Sequence, residues 1–141
     1  MSLVRTEITL KNAADEAIAV SGIVKDYKVR QMTLQALVDT GAWTLVINEE
    51  VRSKLGLRIT GTDSGTLADG TGNHYDVAGP LEIIWQNRRT ICEALVLPNA
   101  SDVLLGAIPM EAMDLIVHPR KEEVVGAHGD EPLHSIKYIC Q

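Results

Sequence analysis

The sequence is poor in cysteine, has no long apolar run and carries no surplus of basic residues. The 141 residues include two cysteines, Cys92 and Cys140, so at most one disulfide can form. No apolar run approaches the roughly 18 residues that a membrane span needs. The formal net charge is −6, whereas binding to a phosphate backbone requires clustered lysines and arginines. We therefore expect no nucleic-acid partner and no membrane partner.

The remaining composition is that of an ordinary globular domain. Hydrophobic residues make up 45% and charged residues 23% of the chain, which argues against disorder. The length suits one compact domain, so we expect residues 1–141 to form a single domain. The opening "MSLVRTEITL" lacks the apolar segment of a signal peptide, which predicts a cytoplasmic protein whose cysteines remain buried thiols.

Short runs of β-forming residues dominate the sequence and predict a mostly β architecture. The runs "VRTEITL", "AIAVSGIV" and "YKVRQMTLQALV" are separated by "KNAADE" and "KD", a pattern that predicts strands joined by hairpins. We predict further strands at "WTLVI" and "RTICEALVL", and a final strand at "LHSIKYIC" near the C-terminus. An edge or an interface is the place where such a last strand is expected.

Two segments are predicted to be helical. "NEEVRSKLGL" begins with Asn48, a good N-cap, and places Val51 and Leu55 on one face before Gly56 can end the helix. A second short helix is predicted near residues 108–113, because Pro109 suits a first helical position.

One acidic residue stands where an apolar one would be ordinary. In "QALVDTGAWTLVI", residues 35–47, Asp39 lies between two apolar segments. An ionised carboxylate beside a buried strand costs several kcal/mol unless it is paired. Asp39 is therefore either part of a solvated turn or a functional group, and the residues alone leave both open.

Two motifs make the chain resemble a known family. "ALVDTGA" at 36–42 and "VLLGAIPMEAM" at 103–113 are similar to the two halves of a retropepsin-like, or retroviral-type, aspartic peptidase in its small bacterial single-domain form. The resemblance covers roughly residues 30–120 and implies an all-β fold, a closed or partly closed acid-protease-like barrel with one or two short helices. It also implies an aspartic endopeptidase that works as a homodimer on a peptide or protein substrate.

The resemblance assigns roles to individual residues. Asp39 is the implied catalytic acid/base, and Thr40, Gly41, Ala42 and Gly106 are implied supports. Two carboxylates that share one proton can activate a water and protonate the leaving amine. The "DSG" at 63–65 offers a rival second aspartate, Asp63, but it lacks a preceding apolar strand. We therefore expect the second carboxylate to be Asp39 of a second copy, related by a two-fold axis.

A glycine-containing hairpin occupies the family's flap position at residues 66–75. An Asp-Gly pair is a strong hairpin signal, and nearby glycines permit the mobility of a lid. An ordinary hairpin without a lid role stays open as an alternative. The charge at the expected tip leaves substrate preference undefined, since the family's lid presents apolar or small residues. The implied flap residues are Leu67, Ala68, Asp69, Gly70, Thr71 and Gly72.

Other reactive side chains receive structural interpretations. Cys92 is expected in the core of a strand, and Trp43 is expected to be a packing residue. We expect no metal and no cofactor, and we interpret the histidines as surface or loop residues: His74, His118, His128 and His134. Two other functions remain, a non-catalytic homodimeric module that binds peptides, and a small-ligand β-barrel carrying Asp-Thr-Gly by chance.

Overall fold

The first strand closes a six-stranded barrel because it pairs with strands from two distant parts of the chain. Strand β1 (Arg5–Asn12) pairs antiparallel with both β2 (Gln31–Val38) and β5 (Gly72–Trp85). The computed structural model describes residues 3–66, 72–98 and 101–130. The other strands are β3 Leu45–Asn48, β4 Ile59–Thr66, β6 Arg88–Leu97, β7 Leu104–Leu105, β8 Leu115–His118 and β9 Glu123–Gly126. The strand order is β1-β2-β7-β3-β6-β5, with β4 outside on β5.

The barrel interior is filled by aliphatic side chains from these strands. Leu10, Ile47, Leu81, Ile83 and Leu105 are completely buried. Because side chains alternate across each strand, the inward residues of β1 and β5 form one continuous core. The predicted all-β barrel with short helices is therefore confirmed.

One predicted strand is wrong. The "AIAVS" part of the run "AIAVSGIV" belongs to helix α1 (Ala13–Ser21). Asn12 caps this helix by accepting a hydrogen bond from the Asp15 amide, and Gly22 ends it in the left-handed conformation with φ 72°. The cap, the early acids and the terminal glycine outweigh the β propensity of the two branched residues, Ile18 and Val20.

The buried Asp15 carboxylate fixes the segment that follows α1. The Asp15 carboxylate accepts hydrogen bonds from the Tyr27 hydroxyl at 3.0 Å and from the Arg30 backbone amide at 3.0 Å. The Arg30 guanidinium adds two more, from Nε at 2.8 Å and Nη2 at 2.9 Å. The Arg30 side-chain bonds chiefly hold the pKa of Asp15 down to about 2, and the Arg30 amide and Tyr27 act in the same direction. Asp15 thus joins α1 to the start of β2.

The other two helices lie close to their predicted positions. Helix α2 (Glu49–Leu55) is capped by the Asn48 side chain, which accepts from the Val51 amide at 2.8 Å, and Gly56 ends it with φ 61°. Helix α3 (Ala107–Ala112) begins one residue before the predicted range, directly after Gly106.

A small hairpin after α3 was not predicted. Among the described strands, β8 and β9 pair only with each other, from Leu115↔Gly126 to His118↔Glu123. The buried Arg88 guanidinium fastens this hairpin to the barrel by donating to the Asp114 carbonyl at 2.6 Å and to the Gly129 carbonyl. The predicted strand "LHSIKYIC" lies outside the described residues. Within residues 3–66, 72–98 and 101–130, no helix is long and apolar enough to span a bilayer.

Candidate active site

The Asp39 loop is held by backbone hydrogen bonds from three parts of the chain. The loop joins β2 to β3, and the Val38 amide donates to the Val4 carbonyl at 2.8 Å. The Asp39 amide donates to the Leu105 carbonyl of β7 at 3.1 Å, and the Ala42 amide closes a turn onto the Asp39 carbonyl at 3.1 Å. The loop position is thus set mainly by the main chain.

The Asp39 side chain is half-buried and has one described hydrogen-bond donor. The Gly41 amide donates to Asp39 Oδ1 at 2.9 Å. A Cβ at position 41 would lie 3.1 Å from that same oxygen, which is a tight contact, so glycine suits the close approach. The described residues supply no second donor to it, so they leave most of the roughly four lone-pair sites of an ionised carboxylate available.

Gly106 allows α3 to begin against the back of this loop. A Cβ on Gly106 would lie 2.6 Å from the Ala42 carbonyl oxygen and still closer to the Thr44 carbonyl oxygen. Without that side chain, the Ala107 amide donates to the Ala42 carbonyl at 2.8 Å and the Ile108 amide to the Trp43 carbonyl at 3.0 Å. The structure therefore brings together the predicted loop, Asp39 to Ala42, and the predicted glycine.

Asp39 and Thr40 line a cavity of about 910 Å³. Its apolar wall comes from the N-terminal residues, β2, α3 and the β8–β9 hairpin. Its polar wall includes Asp114, whose carboxylate lies 2.8 Å from His128 Nδ1. The described lining residues are Leu3, Val4, Leu37, Val38, Asp39, Thr40, Ala107, Met110, Glu111, Asp114, Leu115, Ile116, Val117, Ala127 and His128.

Asp63, the rival aspartate, is not brought to Asp39. It lies in β4 opposite Tyr75 and lines a different cavity, of about 490 Å³, on the other side of the start of α3. Ala107 faces the first cavity and Ile108 the second. The Asp-Ser-Gly motif therefore does not supply a second carboxylate to the Asp39 loop.

The arms of the predicted flap are paired, whereas its tip lies outside the described residues. Strands β4 and β5 pair antiparallel as far as Thr66↔Gly72. The predicted flap residues between these two positions, Leu67, Ala68, Asp69, Gly70 and Thr71, are among those that the structure does not describe. The hairpin is therefore confirmed through its arms, and a lid role stays a prediction.

The second cavity contains residues that the sequence analysis did not assign to a site. Trp43 lines it with 49% of its surface exposed, so it packs less than expected. Cys92 also lines it. Burial, with a further contribution from the negative charge of Glu93, raises the pKa of the Cys92 thiol to about 11, which keeps it neutral and a poor nucleophile. The position of Trp43 directly after the Asp-Thr-Gly-Ala motif was the available signal for a site contact.

The described part of the chain contains no candidate metal-binding site. No group of three or more His, Cys, Asp or Glu side chains there is placed to hold an ion.

The closed barrel, the Asp-Thr-Gly loop and the glycine crossing behind it define an acid-protease type of fold. A family model described as "Aspartyl protease" matches residues 20–108, which include both the loop and Gly106. The chain therefore belongs to this retropepsin-like aspartyl protease family, and its general function is that of an aspartic protease. No curated protein matches the chain.

Proposed function

We propose that the protein is an aspartic endopeptidase whose catalytic dyad forms across a homodimer, with one Asp39 from each chain. The observation that carries the proposal is the Asp39 carboxylate itself. It borders an open cavity, and among the described residues the Gly41 amide is its only hydrogen-bond donor. A carboxylate in this position has acceptor sites left for a water, a substrate or a second carboxylate.

Two such carboxylates supply the acid and the base that peptide hydrolysis needs. Carboxylates about 3 Å apart cannot both stay ionised, so the pair holds one proton. The ionised member removes a proton from the attacking water, and the protonated member donates to the substrate as the carbonyl carbon becomes tetrahedral. The carboxyl that received the water proton then donates it to the amine nitrogen as the C–N bond breaks, and a hydroxyl of the tetrahedral carbon returns its proton to the other carboxylate. The pair titrates as a unit.

The surroundings of Asp39 suit contact with a second copy. Thr40 is exposed beside it, and we assign to it a hydrogen bond across the proposed two-fold axis. Leu3 and Ile116, at the edge of the same cavity, are 70% and 46% exposed. An obligate interface buries on the order of 2,000 Å² or more, and we include these apolar residues and the terminal segment 133–140 in it.

An extended peptide would lie between the β4–β5 hairpin and the dyad. Such a substrate gains main-chain hydrogen bonds as an added strand. If the hairpin acts as a lid, shortening residues 69–72 weakens peptide binding and turnover together and leaves stability nearly unchanged. Equal loss of folding and activity would instead mark the hairpin as structural.

Subunit mixing tests the shared dyad. Wild-type protein is mixed with an excess of Asp39→Asn protein, allowed to exchange subunits, and assayed on an unfolded protein substrate. A shared dyad requires activity per wild-type chain to fall as mixed dimers form, whereas a self-sufficient chain keeps its activity. Absence of cleavage by wild-type protein from pH 3 to pH 7, together with no binding of transition-state mimics, would favour the non-catalytic peptide-binding module.

A further inference from the structure

The second cavity combines an aromatic and aliphatic wall with two carboxylates. Trp43 and Ile108 form the exposed apolar edge, with 49% and 55% of their surfaces exposed. Asp63 of β4 and Glu93 of β6 supply the acids, and the cavity has a volume of about 490 Å³. Among its described lining residues there is no lysine or arginine to neutralise these acids.

A residue of β4 holds the Glu93 carboxylate at the cavity by a hydrogen bond. The Thr60 hydroxyl donates to Glu93 Oε2 across the intervening strand β5. Among the described residues the Thr60 hydroxyl is the only donor to this carboxylate, so acceptor sites on Glu93 remain for a cation.

The cavity is joined to the Asp39 loop by the chain itself. Trp43 follows Asp39 by four residues, and its carbonyl accepts from the Ile108 amide at the start of α3. The start of α3 lies between the two cavities, and Asp39 lines the first cavity while Trp43 lines the second. Four residues of chain span at most about 14 Å, so an extended peptide of four or five residues bound over Asp39 is long enough to place one side chain in the second cavity.

We propose that this cavity is a specificity subsite for an arginine or lysine side chain of the substrate. This inference rests on the proposed peptidase function. The apolar stem of such a side chain packs against Trp43 and Ile108, and its cation pairs with Glu93 and Asp63. Arginine gains most, because its guanidinium stacks on tryptophan and bonds a carboxylate with two donors. The net charge of −6 also attracts basic peptides.

The test begins by incubating the whole chain with substrate peptides that come from a digest of denatured protein. We expect arginine and lysine to be enriched at one fixed position relative to the cleaved bond. A cleaved peptide is then remade with arginine or its neutral isostere citrulline at that position. Glu93→Gln should reduce the arginine-over-citrulline preference in kcat/KM roughly twofold to fivefold, as expected for a pair with an exposed carboxylate. Glu7→Gln removes the same charge at an exposed position of β1 and should leave the preference unchanged.

A binding measurement separates failure of the subsite from failure of the peptidase. The arginine and citrulline peptides are titrated into Asp39→Asn protein, with and without Glu93→Gln, and followed by fluorescence anisotropy. If wild-type protein cleaves nothing, basic peptides from the same digest are used as the arginine members. A Glu93-dependent arginine preference supports the subsite even then. Cleavage without basic enrichment, or equal binding of the two peptides, overturns it while the peptidase proposal is judged on cleavage alone.

Discussion

Two aspartates, Asp15 in helix α1 and Asp39 in the loop after β2, show how differently one side chain can be used. Asp15 is 2% exposed and accepts hydrogen bonds from Tyr27 and Arg30, including two from the guanidinium. Asp39 is half-buried, borders a large cavity and accepts from the Gly41 amide. Asp15 is surrounded by side-chain donors, whereas the position of Asp39 is fixed through its backbone.

The difference separates a structural carboxylate from one available for chemistry. Donors that fill the acceptor sites of Asp15 stabilise its ionised form and leave no site for a ligand. A backbone-fixed loop orients Asp39 while leaving its oxygens accessible, as a catalytic group requires. Loss of Asp15 should therefore cost stability, and loss of Asp39 should cost activity.

The largest expected effect is on activity. Asp39→Asn keeps the shape of the loop but removes the shared proton, so cleavage should fall by roughly a hundredfold to ten-thousandfold. Thermal unfolding should change little. Asp26→Asn is the matched control, because Asp26 is exposed with φ 57°, a conformation that asparagine tolerates. A control that loses equal activity would contradict the assignment.

Removing Asp15 tests the other half of the comparison. Asp15→Ala deletes the acceptor for Tyr27 and Arg30, so we expect unfolding to become easier by about 2–3 kcal/mol. Urea denaturation gives the value, and Glu16→Ala in the same helical turn should cost less than about 1 kcal/mol. Equal losses in the two variants would mean that the hydrogen bonds to Asp15 contribute little.

Gly106 tests whether the backbone holds the Asp39 loop. Gly106→Ala forces a Cβ against the Ala42 and Thr44 backbone, which should cost about 1–3 kcal/mol in stability. Cleavage should fall as well, because the loop must move. Gly61→Ala, with no atom within 4 Å of the added Cβ, is the control for unfolding. Unchanged activity in a folded Gly106→Ala protein would contradict the backbone account.

Low pH should remove the contribution of the ionised Asp15 carboxylate to the free energy of unfolding. Because the folded pKa is about 2 against an ordinary 3.8, the stabilisation is nearly complete above about pH 5 and is lost as the pH falls through the folded pKa. It amounts to roughly 1–2 kcal/mol, since Arg30 is half-exposed. Stability measured between pH 6 and pH 2.5 should fall less steeply for Asp15→Asn than for wild type. Parallel curves would rule out this source of pH dependence.

The smallest expected effect is that of one hydroxyl. Tyr27→Phe removes a single donor to Asp15 at 3.0 Å, so the free energy of unfolding should fall by about 1 kcal/mol. The double variant with Asp15→Ala should lose less stability than the sum of the two single losses, because both substitutions break the same hydrogen bond. Full additivity would show that the contact contributes nothing measurable.

Local motifs made the barrel and the Asp39 loop predictable. Asn48 and Gly56 mark both ends of α2, and Asp-Thr-Gly with Leu-Leu-Gly locates the loop and its support. Helix α1 was missed because its branched residues resemble a strand, although Asn12 and Gly22 carried the cap signals. The periodicity of a nine-residue element is too short to decide between helix and strand.

The rest of the site depends on contacts that no local pattern contains. The second cavity brings Trp43 together with Glu93 and Asp63 through pairing of β4, β5 and β6. The donors to Asp15 come from residues 12 and 15 positions further along the chain. Sequence spacing gives no measure of such distances, so these groups could be found only once the strands were placed.

The central claim is that two copies of Asp39 meet across a two-fold axis. The most direct test is the distance between the two Asp39 carboxylates in a crystal structure of the assembled protein. The account predicts an oxygen-to-oxygen distance of about 3 Å, within reach of a shared proton. A fully active protein whose Asp39 carboxylates lie far apart, or whose active form is a monomer, would contradict it.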